Sequence, residues 1–182
     1  MTLTEYFLNA CSMSSDINEH LPTLKQYASE CEVVMELGVR TGNSTFALLA
    51  GLPKKMRSFD IGPFCNKKLC KELAEVNNID WQFIQENVLT TDKIEECDLL
   101  FIDTLHSYFQ LKQELALHGN KAKKYIVMHD TVAFGKLDEF TPAGQPNLGL
   151  LPAMHEFLKE NKHWCIHKIY GNNNGLSILR RI

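Results

Sequence analysis

The chain lacks a surplus of either charge: 19 Lys and Arg stand against 22 Asp and Glu, a net −3 with histidine neutral. No basic stripe is available to neutralise phosphates, which excludes an electrostatically driven nucleic-acid binder and gives no case for an anionic membrane surface. No apolar run approaches the ~20 residues that span a bilayer. The apolar stretch from Tyr6 to Cys11 is too short for a secretory signal. There is no C-x-x-C pair; cysteines at 11, 31, 65, 70, 97 and 165 read as free thiols of a reducing compartment, with Cys65 and Cys70 packing and surface thiols rather than a metal clasp. Repeats, low-complexity tracts and Gly/Ser linkers are missing as well. What remains is 182 residues, 45% apolar and 23% charged, the composition of an ordinary globular chain. The expectation is one cytoplasmic domain, with a helical segment at 1–31 and a core at 32–182.

Apolar patterning along that core alternates between two periods. Residues 3–29 read as helical with a break near Ser14-Ser15-Asp16. Short apolar runs at 33–38, 56–61, 81–84, 98–103 and 125–128 read as strands. Helical periodicity intervenes at 44–52, 66–76, 108–118 and 151–161. Lys121, Lys123 and Lys124 read as a solvated bend ahead of the fifth strand. A loop bearing Gly135, Pro142, Gly144, Pro146 and Gly149 precedes the last helix, and its Phe134 and Phe140 make it a candidate lid. Two alternating runs, 164–170 and 176–179, flank Gly171-Asn172-Asn173-Asn174-Gly175, a hairpin signal. Strand–helix alternation closing on an antiparallel hairpin implies an α/β fold: a mostly parallel seven-stranded sheet with helices on both faces.

The most informative stretch is Val33-Val34-Met35-Glu36-Leu37-Gly38-Val39-Arg40-Thr41-Gly42-Asn43-Ser44-Thr45. It reads as a buried strand, a glycine turn and a helix start, the arrangement that holds a small polar or anionic ligand in parallel α/β proteins. Its spacing, E-x-G-x-x-x-G-x-S, departs from the G-x-G-x-x-G of dinucleotide binders. An acid two positions before the first glycine repels a pyrophosphate but suits an ammonium. The ligand that fits is an amino-acid-bearing nucleoside, and S-adenosylmethionine fits best. Glu36 or Asp103 would meet its ammonium; Gly38, Arg40, Thr41, Gly42, Asn43 and Ser44 would surround its carboxylate. Asp60, closing the second strand, would accept from the ribose diol, and Asn87 and Val88 would border the adenine.

A second constellation is F-I-D-x-x-H-S-Y at 101–108, then H-D-T at 129–131, then 149–158 and G-L-S-I-L-R-R at 175–181. Over about residues 20–182 the chain resembles a small-methyltransferase family (Methyltransf_24-like) of the class I S-adenosylmethionine-dependent enzymes. That family is related to cephalosporin hydroxylase-type, macrolide sugar and catechol O-methyltransferases. The resemblance implies a Rossmann-like class I methyltransferase fold. It implies that Asp103 and Asp130 hold Mg²⁺ or another divalent metal, with His129 or a water at a further position, and that His106 takes the proton from the acceptor hydroxyl. His129 stands where metal-dependent relatives tend to carry an acid, and imidazole suits Mn²⁺, Fe²⁺ or Zn²⁺ better than Mg²⁺. The chemistry coheres: a sulfonium supplies an electrophilic methyl group, so the protein must supply an oriented, deprotonated oxygen.

The reading is an O-methyltransferase acting on a small hydroxylated acceptor, a sugar or a diol, with no nucleic-acid or membrane partner. A second copy of the chain could complete the acceptor pocket in a homo-oligomer. Two other classes stay open: an accessory protein that binds S-adenosylmethionine without turnover, and an NAD(P)-dependent oxidoreductase.

Overall fold

A computed structural model describes residues 1–141 and 143–182; Pro142 of the glycine-bearing loop lies outside the described residues. Two helices, α1 (Leu3–Ser12) and α2 (Leu21–Ser29), open the chain with a 3₁₀ turn at Asn18–His20 between them. The first is closed by a reciprocal cap: Thr2 Oγ1 accepts from the Glu5 N–H, and the Glu5 carboxylate accepts from the Thr2 N–H. The core follows as β1 (Val33–Leu37), α3 (Asn43–Ala50), β2 (Lys55–Asp60), α4 (Lys67–Val76), β3 (Asp80–Gln85), β4 (Cys97–Ile102), α5 (Tyr108–His118), β5 (Ala122–His129), α6 (Leu150–Glu160), β6 (Trp164–Tyr170) and β7 (Leu176–Arg181).

The strands form one seven-stranded sheet in the order β3-β2-β1-β4-β5-β7-β6. The first five run parallel; β7 is antiparallel to both β5 and β6. This is the expected mostly parallel α/β sheet with a C-terminal hairpin. Strand order reverses at β1, which pairs with β2 on one side and β4 on the other. Such a switch point opens a crevice beyond the C-terminal strand ends.

Alternation along each strand sorts the core into two layers. Val34, Leu99 and Phe101 join the layer beneath α1 to α4, whereas Met35, Leu37, Leu100 and Ile102 join the layer beneath α5 and α6. Strands covered on both faces read as continuous apolar runs, which is why β1 and β4 are visible in the sequence. At the edge of β5 the expectation needs correction. Lys123 and Lys124 belong to that strand rather than to a preceding bend. Their ammonium groups reach Glu96 and the Glu30 carbonyl, and they sit at a register shift where β5 carries one residue more than β4 between the Cys97–Ala122 and Leu99–Tyr125 pairs. No described helix is long and apolar enough to cross a membrane.

Candidate functional site

The glycine turn after β1 is built by close approach. Gly38 has φ +90°, and a Cβ there would stand 1.9 Å from the Asp103 carbonyl oxygen. Only glycine lets β1 and β4 end this close together. Gly42, also at φ +90°, caps α3 in the left-handed region and leaves no room before the Phe64 ring. No side chain caps α3, so its first N–H groups face outward from the turn.

Above this turn lies a cavity of about 410 Å³. Its lining comes from the ends of four adjacent strands: Gly38, Arg40, Thr41, Asn43 and Ser44 after β1; Phe59 to Ile61 at β2; Glu86 to Val88 after β3; Asp103 to His106 after β4. Gln110 on α5 and Ile17 of the N-terminal segment complete it. The structure therefore brings together nearly all the residues expected to hold a nucleoside ligand.

Three of those residues are arranged differently from the expectation. Glu36 is fully buried and absent from the cavity wall. Its carboxylate accepts from Ser44 Oγ at 2.6 Å and from Thr45 Oγ1 at 2.9 and 3.1 Å. It anchors the start of α3 from below, and burial pushes its carboxyl up to about 7 despite these hydroxyls. Of the two acids considered for an ammonium, Asp103 is the one on the wall. Asp60 does line the cavity, but its oxygens also organise the turn. Oδ2 accepts from the Val39 and Arg40 N–H groups at 2.8 and 3.0 Å, and Oδ1 from Gly62 N–H at 2.8 Å. A carboxylate has about four acceptor sites, so one, on Oδ1, remains for a ribose hydroxyl. Arg40, at φ +48°, turns outward to Asp16 at 2.7 Å and ties the N-terminal segment to the cavity rim.

At one end of the cavity, four residues converge. His106 Nε2 lies 3.2 Å from Asp103 Oδ1 and 2.9 Å from Asp130 Oδ2. His129 Nδ1 lies 3.4 Å from the same Asp103 oxygen and 3.0 Å from the same Asp130 oxygen. Asp130 takes φ +59°, which turns its carboxylate back toward β4. Burial opposes the imidazolium of each histidine, yet the two carboxylates outweigh it and raise both to about 10. Burial likewise pushes Asp103 and Asp130 up, but hydrogen bonds from the two histidines bring both below the usual carboxylate range.

Asp103, His129 and Asp130 each offer a ligand atom within 4.8 Å of the others. Ligand atoms at right angles around an ion with ~2.1 Å bonds lie ~3 Å apart, close to the separations found here. Asp130 Oδ1 is buried with no partner, an orphan that a cation would satisfy. His129 is oriented from behind by the Asn173 carbonyl, 3.2 Å from its Nε2, with the His20 ring packed edge-on at 5.6 Å. The donor set of one imidazole and two carboxylates fits a divalent cation, Mn²⁺, Fe²⁺ or Zn²⁺ ahead of Mg²⁺.

Glu139, Asp138 and Glu86 do not stand out in the sequence, whereas Phe134 does, as part of the candidate lid. Glu139 Oε2 lies 2.8 Å from His106 Nδ1, and Phe134 stacks on the His106 ring at 5.0 Å and 7°. Their loop is fixed by Asp138, whose Oδ1 accepts from the Tyr108 and Gly149 N–H groups, both at 2.8 Å. Glu86 lines the cavity just past β3; applying the strand-end rule to Trp81–Ile84 would have flagged it.

No protein-family model and no curated protein matches the sequence. Solved structures do match. The S-adenosyl-L-homocysteine (SAH)-bound methyltransferase PaMTH1 of Podospora anserina aligns with a TM-score of 0.62 at 15% identity, over 99% of this chain and 87% of that one. The O-methyltransferase of Bacillus cereus, in complex with SAH, gives 0.62 at 14% identity, over 99% and 90%. The N-methyltransferase NodS of Bradyrhizobium japonicum, with SAH, gives 0.63 at 13% identity, over 100% and 99%. The chain thus has the Rossmann-like fold of these methyltransferases.

Proposed function

We propose that the chain is an S-adenosylmethionine-dependent methyltransferase that transfers the methyl group to an oxygen of a small hydroxylated acceptor, a sugar or a diol, with a divalent metal at Asp103, His129 and Asp130. The observation that carries this reading is the meeting of Asp103, His106 and Asp130 at one end of a nucleoside-sized cavity, at the sheet's switch point. The SAH bound in the similar structures supports the cofactor assignment.

In this reading the glycine turn and the first backbone N–H groups of α3 receive the methionyl carboxylate, Asp103 the ammonium, Asp60 the ribose, and Asn87 and Val88 border the adenine. A bound divalent ion would supply Lewis acidity toward an acceptor hydroxyl. His106 is the base, and its state depends on the two acids. While Asp103 and Asp130 face it unshared, they hold it as an imidazolium. A divalent ion held by Asp103 and Asp130 would offset that charge, and His106 would then be the neutral imidazole able to accept a proton at Nε2. Phe134, stacked on the His106 ring, covers one face of the imidazole against bulk water.

The test is SAH production from S-adenosylmethionine over a panel of sugars and vicinal diols with Mn²⁺ present. Turnover abolished by chelation and by Asp130→Ala supports the metal-assisted reading. Turnover surviving both removes the metal from it. SAH binding without turnover on any acceptor, and alanine at 103, 106 and 130 without cellular effect, would favour a non-catalytic binding protein.

A further inference from the structure

Asn172, Asn173 and Asn174 form the turn between β6 and β7. Asn173 and Asn174 take φ +44° and +67°, and the Gly175 N–H closes on the Asn172 carbonyl at 2.8 Å, a two-residue hairpin turn with both central residues left-handed. Such a turn needs only residues that tolerate positive φ. Here all three asparagine carbonyls also receive donors from outside the hairpin. Asn174 accepts from the Val132 and Ala133 N–H groups, each at 2.9 Å, just past Asp130. Asn172 and Asn173 accept from His20 Nε2 at 2.9 and 3.1 Å, and Asn173 also from His129 Nε2 at 3.2 Å. A carbonyl oxygen only accepts, so both ring nitrogens that face it carry hydrogen. The Asn173 side chain ties the turn to the segment between α1 and α2. Its Oδ1 accepts from the Glu19 N–H at 3.0 Å, and its Nδ2 donates to the Ser15 carbonyl at 2.8 Å.

We propose that Asn173 is a positioning residue for the divalent cation: clamped by the N-terminal segment, its carbonyl keeps the His129 hydrogen on Nε2 and so reserves Nδ1 for the ion. The inference rests on the metal-assisted reading and deepens it. A neutral imidazole has one N–H and one lone pair, and the hydrogen bond on the far nitrogen decides which atom is left to coordinate. In His129 the near atom is Nδ1, 3.4 and 3.0 Å from the Asp103 and Asp130 oxygens. The opposite tautomer would set a lone pair of Nε2 against the Asn173 oxygen and place a hydrogen where the ion belongs. The His20 ring, itself buried, packs edge-on against His129 at 5.6 Å and steadies its orientation. The segment that carries Ser15, Glu19 and His20 thus belongs to the metal centre without supplying a ligand.

The test uses the full chain loaded with Zn²⁺, a diamagnetic ion that leaves NMR signals sharp. In ¹H–¹⁵N spectra of the histidine rings, His129 is assigned by its absence from His129→Asn. The wild type is expected to show a slowly exchanging hydrogen on Nε2 and a metal-shifted Nδ1. The reverse pattern, hydrogen on Nδ1 and metal at Nε2, overturns the proposal whatever any variant does. Asn173→Gly keeps the positive φ and the carbonyl but cuts the ties to Ser15 and Glu19. In that variant the Nε2 hydrogen should exchange faster. Its Zn²⁺ affinity by calorimetry should fall about 10–100-fold, while SAH affinity measured without metal stays within about twofold. Unchanged exchange and Zn²⁺ affinity in the folded variant overturn the role of Asn173, and so do parallel losses of Zn²⁺ and SAH binding. If Asn173→Gly does not fold, Asn173→Asp takes its place. It breaks only the bond to Ser15 and adds a charge that by itself favours a cation, so a fall in Zn²⁺ affinity supports the proposal and an equal or higher affinity overturns it. Failure of the wild type to bind Zn²⁺ overturns the metal-assisted reading instead, and the inference with it.

Discussion

Glu139 holds His106 at two points: its carboxylate meets Nδ1 at 2.8 Å, and its backbone N–H donates to the His106 carbonyl at 2.9 Å. A residue more than thirty positions away thus fixes both the ring and the main chain of the candidate base. The arrangement leaves Nε2 directed at Asp103 and Asp130. Removal of a group that orients a functional imidazole in this way costs roughly 10–100-fold in activity or metal affinity. Glu139→Ala is therefore expected to lower kcat by that factor while SAH affinity, measured by calorimetry, stays within about twofold. An equal loss in both quantities would mean that Glu139 serves the fold rather than the base.

Gly38 is the tightest point of the ligand turn, because a side chain there collides with the Asp103 backbone. Gly38→Ala is expected to cost about 3 kcal/mol or more of stability, from left-handed strain plus displacement of β4. Gly144→Ala is the control: its φ is +77°, but among the described residues nothing lies within 4 Å of the added Cβ. That change should cost only about 1 kcal/mol. Urea unfolding of the two variants separates collision from strain, and equal effects would contradict the close approach.

The buried Glu36 gives a signed pH prediction. Its folded carboxyl titrates at about 7 against an ordinary value of 4.5. Below the ordinary value both states hold the proton and nothing is lost. As pH rises through the interval the unfolded state ionises first, so the group's contribution to stability falls, by ~3 kcal/mol in all. Glu36→Gln cannot ionise. Its stability relative to wild type should improve by about that amount between pH 4.5 and 8, and a constant difference would contradict a buried, protonatable Glu36.

In the proposed metal-assisted reading, His129 would set the metal preference. Isothermal titration of the metal-stripped protein should show Mn²⁺ or Zn²⁺ binding at least about tenfold tighter than Mg²⁺. His129→Asp replaces the imidazole by a hard oxygen donor and should narrow that ratio. Identical ratios in the two proteins would place the ion away from His129.

The sheet was legible because β1 and β4 are sealed on both faces and so appear as largely apolar runs, each carrying a single acid, Glu36 and Asp98. Asp103, His129 and Asp130 stood out because they close such runs, where parallel sheets bind ligands. Glu36 was visible as an acid but not as an anchor. Its oxygens are taken by hydroxyls eight and nine positions on, across a turn whose geometry depends on Gly38 and Gly42. Glu139 lies in a stretch with no periodicity, and Asn173 reads as one more asparagine of a hairpin turn. Their partners, His106 in one case and His129 with the N-terminal segment in the other, are set by packing between elements rather than by local pattern.

The most direct measurement is calorimetric titration of the purified protein with SAH, with and without Mn²⁺, beside Asp60→Ala and beside NAD(H) and NADP(H) as competing ligands. The account predicts micromolar SAH binding that Asp60→Ala abolishes, and no nicotinamide binding. Absence of SAH binding under every condition, or binding of a nicotinamide nucleotide in its place, would contradict it.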